Sequence, residues 1–252
     1  MSDMVKSFIV LIVSIVAVHL AYLGYVRPEA DLLLETAKLA GQSAPRDLVI
    51  VLKDYEQEIC LILMFWGSFL ILTKCRTILR NNYLFTVDLI EESTEDDSFV
   101  PEKIIEKLDT ELSADRRSAP LIQTLRTALW RYAGTRNVQN LSDAIESSIE
   151  ALAVRQDAEN SMIRYLIWAI PSIGFIGTVR GIGEALSLAD KALAGDIAGM
   201  TNSLGVAFNS TLIALLISIF LMFFFHQLQR LQDGQLVDIQ AYCDQYLLAR
   251  IK

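Results

Sequence analysis

Histidine and cysteine are scarce: the 252 residues hold two His and three Cys. Cys60, Cys75 and Cys243 are odd in number, none forms a CxxC pair, and two lie in or beside apolar runs. They read as free thiols with packing roles rather than a redox couple. His19 and His226 stand without a ligand cluster, so no zinc or haem site is expected. Basic charge is also short. The net charge is −8, and nothing suggests nucleic-acid binding. No nucleophile–base pair, phosphate loop or cofactor motif occurs, so the chain does not read as an enzyme. It shows no strand pattern of note and no internal repeat.

Apolar residues are abundant instead, 53% of the chain against 21% charged, with mean hydropathy +0.38. They collect in four blocks with most of the charge between them. That pattern belongs to an integral membrane protein rather than a globule with one large core. The reading is an all-α membrane protein with four transmembrane helices, at residues 1–26, 59–75, 162–188 and 204–226. The first is too long for a signal peptide and lacks the small-residue cleavage site, so it reads as retained. The second is near the lower limit for a hydrocarbon core of roughly 30 Å. Extension to Tyr55 on one side and Arg76 on the other makes up the length.

Orientation follows from the flanking cations. Lys6, Lys74, Arg76, Arg80, Arg155, Arg164 and Arg230 fall on one side, against Arg27, Lys38, Arg46, Lys53 and Lys191 on the other. The bias places both termini in the cytoplasm. Residues 27–58 then form an external loop, and 76–161 a helical cytoplasmic domain between the second and third spans. Residues 189–203 form a short external hairpin and 227–252 a cytoplasmic tail helix. In the domain, Pro101 suits a first helical turn, and Ile104, Ile105, Leu108 and Leu112 share a face. Gly134 is a plausible break. From Ser142 the apolar positions Ile145, Ile149, Leu152 and Ala153 keep helical spacing, with no breaker before Pro171. One long helix is expected to run into the third span without a loop. The acidic run at 88–99 reads as a solvated linker. The stretch "EADLLLETAKLAG" looks partly helical.

The third span holds the least ordinary stretch, "IPSIGFIGTVRGIGEAL". Polar groups facing lipid are costly, so Ser172, Thr178, Arg180 and Glu184 are expected to face protein or water. Gly174, Gly177 and Gly181 form a smooth stripe where a neighbouring backbone can approach. Arg180 and Glu184 are four apart and can pair. Pro171 deprives the Ile167 carbonyl of its helical donor, which water or a side chain can replace. The fourth span, "LGVAFNSTLIALLISIFLMFFF", places Asn209, Ser210 and Thr211 together, with Ser218 two turns beyond Thr211. Ala207 and Ala214 continue that small face. No acidic residue occupies the middle of any span, so a partner or water must carry charge across the midplane.

These two stretches resemble the MotA/TolQ/ExbB proton-channel family. "AIPSIGFIGTVRGIGEAL" is similar to its Pro-x-hydrophobic-Gly-x-x-Gly-Thr-Val-x-Gly-Ile signature, and "MTNSLGVAFNSTLIALLIS" to the signature of its last helix. The resemblance covers residues 159–226 strongly, and the earlier part in layout only. It implies a bacterial inner-membrane stator subunit of an ion-driven motor. Five copies would surround a dimer of a single-span MotB/TolR/ExbD-like partner carrying a membrane Asp. On that resemblance Thr178 and Thr211 lie beside the ion path, with Asn209, Ser210 and Ser218 on the same polar stripe. Pro171, Gly174, Gly177 and Gly181 match structural positions. Arg180 and Ala214 depart from the pattern, and Arg180 sets a positive charge near the external mouth. The competing reading is a non-conducting membrane scaffold that gathers partners through the same packing. The work driven and the choice between H⁺ and Na⁺ stay open.

Overall fold

The computed structural model describes residues 3–39, 47–90 and 99–251. Most of the acidic run at 88–99 lies outside them. The described residues form helices and no strand. The elements are α1 (Asp3–Ala21), a π-helical turn (Tyr22–Val26), α2 (Arg27–Leu39), α3 (Leu48–Leu52) and α4 (Tyr55–Asn81). A 3₁₀ turn (Asn82–Thr86), α5 (Pro101–Glu111), α6 (Ala114–Arg117) and α7 (Pro120–Thr135) follow. Then come α8 (Val138–Ser187), α9 (Ala189–Leu193) and α10 (Ala198–Tyr242), with short turns to Arg250. Four stretches are long and apolar enough to cross a membrane: Val5–Ala37, Tyr55–Thr86, Val138–Ser187 and Ala198–Arg250.

The long helix expected from the spacing is present, and α8 continues through Pro171. The break placed at Gly134 falls later. Helix α7 ends at Thr135, and Arg136 takes the left-handed conformation at φ 49°. Its N–H donates to the Tyr132 carbonyl at 2.7 Å, which closes the helix end.

The chain divides into two compact units. The first comprises Met1–Leu72 and Met162–His226. In it Val18, Tyr22 and Ile62 pack with Leu11, Val26 and Leu61. Trp66 Nε1 donates to Ser7 Oγ at 3.0 Å, tying α4 to α1. Many large apolar side chains point away from this unit, among them Phe8, Val13, Phe65, Val179, Phe208 and Ile219. Their outward display suits lipid or further helices, because no water-facing core explains it.

The second unit comprises Thr73–Ser161 and Gln227–Lys252. Pro101 and Pro120 each open a helix, where the missing N–H costs nothing. Ile104, Leu108, Leu125, Leu129, Leu141 and Ile145 form its core. The tail packs into this core through Ile239, Tyr242, Cys243 and Leu247. Polar pairs also join α8 to α10. Asn160 Nδ2 donates to Gln232 Oε1 at 2.7 Å, and Gln156 Nε2 to Gln235 Oε1 at 3.1 Å. Each buried amide thus has a partner.

The tail also clamps the segment after α4. Tyr242 Oη accepts from the Leu89 N–H and donates to the Val87 carbonyl, each at 2.9 Å. Arg250 pairs with both oxygens of Asp88, which also accepts from the Ile90 N–H at 3.0 Å. Burial works against the Asp88 carboxylate, yet the Arg250 and Ile90 hydrogen bonds hold its pKa below the ordinary value. A lowered native pKa contributes stability above the unfolded value and loses it as pH falls through the native one. Asp88→Asn should therefore lower thermal stability at pH 7, and the gap to wild type should close on acidification below about pH 4. Tyr242→Phe strands a part-buried N–H and carbonyl and should cost about 1 kcal/mol. A denaturation midpoint unchanged in Tyr242→Phe would show that the clamp contributes nothing.

Candidate functional site

The glycine stripe of α8 meets the small face of α10 within one chain. A Cβ built on Gly177 would lie 2.5 Å from both Ser210 Cβ and Oγ, and 3.1 Å from Glu56 Cγ. One on Gly181 would lie 2.7 Å from the Ala207 N and the Ser203 carbonyl. Gly174 faces Ala214 in the same way. Only residues without a side chain fit such backbone contact. The close approach foreseen for these glycines is thus met by α10 of the same protomer. Ala214, a departure from the family pattern, is the methyl that fills the space opposite Gly174.

That approach brings two hydroxyls together. Thr178 Oγ1 and Thr211 Oγ1 are hydrogen-bonded to one another. Thr178 Oγ1 also lies 3.1 Å from the Ala207 carbonyl and 3.2 Å from that of Gly174. Thr211 Oγ1 lies 3.3 Å from the Gly174 carbonyl. Each hydroxyl has one proton, so these contacts are alternatives. If Thr211 donates to Thr178, Thr178 can donate to Ala207; if Thr178 donates to Thr211, Thr211 donates to Gly174. The two arrangements differ only by rotation of the hydroxyls. Both threonines are half-buried.

The other stripe residues have different surroundings. The buried Ser218 hydroxyl donates across the seam to the Ile167 carbonyl at 2.9 Å. This is the carbonyl that Pro171 leaves without a helical donor. Ser210 Oγ donates to the Val206 carbonyl of its own helix at 2.7 Å and is buried. Asn209 is half-buried. Ser172 was expected to face protein or water. It points outward with its hydroxyl bonded back to the Trp168 carbonyl at 3.0 Å. The cysteines are free thiols, and Cys60 is buried with its Sγ 3.8 Å from the Ile170 carbonyl.

Arg180 has a stronger partner than the one local spacing suggests. Glu184 lies 3.3 Å from its Nη1, but Glu56 of α4 takes Nε and Nη2 at 2.8 and 2.9 Å. Asp54 is 3.9 Å away. Glu56 is buried, whereas the Glu184 side chain is 48% exposed. A bidentate contact with a buried carboxylate outweighs a single contact with an exposed one. Burial raises the Asp54 pKa above its ordinary value, against the pull of Lys53 and Arg180. A second buried carboxylate, Glu58, pairs with Arg27 and lies 2.6 Å from His19 Nδ1. The π-helical turn ends beside Arg27, whose guanidinium also covers the Tyr55 ring at 4.3 Å. Glu56 and Glu58 escaped the sequence reading because they sit just before an apolar run. The available signal was two carboxylates there and an arginine at each of two other span ends.

The seam gives a direct test. Gly177→Leu should prevent α8 and α10 from closing within the protomer, so the protein should lose its protease-resistant membrane core in mild detergent. Gly183→Ala should leave that core intact, since nothing lies within 4 Å of the added Cβ. A wild-type digestion pattern for Gly177→Leu would show that the seam does not need the glycine.

Comparison with known proteins gives a family match. A model of the MotA/TolQ/ExbB proton channel family matches residues 116–241, half of the 252-residue chain, and includes both threonines and the glycine stripe. No curated protein and no solved structure matches the chain. The chain is a member of the MotA/TolQ/ExbB proton channel family, built on four helices capable of spanning a membrane.

Proposed function

We propose that this chain is the channel-forming stator subunit of an ion-driven, proton-coupled motor in the bacterial inner membrane. Both termini face the cytoplasm. Five copies enclose a dimer of a single-span partner, and ion flow through the assembly does mechanical work on it. The observation that carries this reading is the Thr178–Thr211 hydroxyl pair at the α8–α10 seam of a proton-channel family member. The middles of the spans offer no carboxylate, so the titrating group comes from the partner, as a membrane Asp.

The chemistry follows from the alternatives open to the two hydroxyls. A hydroxyl that turns from a backbone carbonyl toward a partner carboxylate donates to the ionised form. Hydrogen bonds to charged groups are worth about 1.5–3 kcal/mol, or roughly a ten- to hundredfold fall in proton affinity. When the partner rotates on, the carboxylate loses that donor and its proton affinity rises. Proton uptake and release are thereby linked to the angle between partner and ring. The carbonyls of Gly174 and Ala207 accept the hydroxyl in the meantime, so neither state leaves it unsatisfied. Asn209, two residues before Thr211, adds a half-buried polar side chain to α10. Ser210 and Ser218 hold the seam through backbone carbonyls.

Valine keeps the shape of threonine and removes the hydroxyl. Thr178→Val and Thr211→Val should each assemble with the partner yet lose most proton flux in liposomes, by at least tenfold. Thr211→Ser should keep part of it. Full flux in the double valine variant would overturn the role of the hydroxyls, and a wild-type complex without flux would leave the scaffold reading in possession. Orientation is checked separately in a cysteine-free background. A cysteine at Asp196 should react with an impermeant thiol reagent applied outside, and one at Glu146 should not. The reverse labelling would invert the topology.

A further inference from the structure

Arg180 lies two residues beyond Thr178, about one half-turn toward the end of α8. A bare guanidinium there would repel the cation that a proton channel must admit. The structure surrounds it with carboxylates. Glu56 binds it through both oxygens at 2.8 and 2.9 Å, Glu184 approaches to 3.3 Å, and Asp54 to 3.9 Å. Glu56 and Asp54 come from outside α8, at the start of α4 and just before it. Their side chains are 10% and 14% exposed, against 38% for Arg180. Glu56 is also held in place from below, since its Cγ packs where Gly177 has no Cβ. The glycine, the carboxylate and the guanidinium thus form one continuous contact. The Thr178 hydroxyl follows directly on that glycine.

We propose that Glu56 is a specificity-determining residue of the channel: it cancels the charge of Arg180 and so makes the end of the α8–α10 seam admit cations. With Glu56 in place, one guanidinium faces three carboxyl groups, the nearest of them bidentate. Without it, the closest carboxylate is gone, and the guanidinium is held only by an exposed Glu184 and a more distant Asp54. Charge near a narrow polar passage acts on every ion that approaches, in addition to any effect on folding. Arg180 and Glu56 are therefore unequal partners. In a purely structural pair the loss of Arg180 would be the worse, because it strands the more buried Glu56 carboxylate. A field effect would be lost with Glu56 and relieved with Arg180.

This inference rests on the channel reading, and the assay separates the two. The full complex with its partner is reconstituted in liposomes, and proton flux is normalised to assembled complex. Glu56→Gln should fall at least tenfold below wild type, and Glu56→Asp should retain most flux. Arg180→Gln should conduct at least as well as wild type, and the Glu56→Gln, Arg180→Gln double variant should return to within about threefold of it. Should Glu56→Gln fail to assemble, the Arg180→Gln flux decides. Wild-type flux or more supports the proposal, and a tenfold loss overturns it. Wild-type flux in Glu56→Gln, or a double variant no better than Glu56→Gln, overturns it while leaving the channel reading intact. A wild-type complex that carries no protons overturns both.

Discussion

The contact on which the membrane unit depends is the backbone approach of α8 to α10. Three glycines on one helix and a run of serine and alanine on the other bring main chains within side-chain distance. In hydrocarbon no hydrophobic force drives helices together, so close packing and hydrogen bonds must do so. The approach supplies both. It lets Ser218 reach the carbonyl left open by Pro171, and it lets Thr178 and Thr211 reach each other and two carbonyls. A bulkier stripe would separate the helices and remove every one of these bonds together. The proline is thus tolerated because its cost is met across the seam by a particular hydroxyl.

How much of this could be read in the sequence varied with the range of the interaction. The four apolar blocks, the unbroken run of α8 through Pro171 and the small faces of α8 and α10 depend on local composition and period, and those are visible in one dimension. The freed Ile167 carbonyl was visible too, because a proline always opens the carbonyl four residues back. Its donor was not, since Ser218 is 51 residues away. Arg180 shows the same limit more sharply. Spacing on a helix offers only neighbours three or four apart, so Glu184 was the visible partner. The closer one, Glu56, is 124 residues distant. The glycine stripe announced a close neighbour, but nothing in its pattern says whether that neighbour belongs to the same chain. The tail shows the same limit. Its apolar face is clear, while the clamp by Tyr242 and Arg250 on residues 87–90 depends on tertiary contact.

Polar groups in the membrane unit fall into two kinds once their partners are known. Ser210, Ser218 and Ser172 each give their one proton to a backbone carbonyl, and no other partner competes for it. Arg27 with Glu58 is a charge pair whose disruption would leave a buried ion. Such groups hold a geometry and resist change. Thr178 and Thr211 differ. Their oxygens sit among more acceptors than their two protons can serve, so rotation exchanges one satisfied arrangement for another at little cost. A hydrogen-bond donor that can leave one partner without becoming unsatisfied is what a passing carboxylate requires. The rigid bonds around the pair keep the helices fixed while the hydroxyls turn. The seam therefore combines two properties: a packing held by bonds with one partner each, and a hydroxyl pair free to exchange partners.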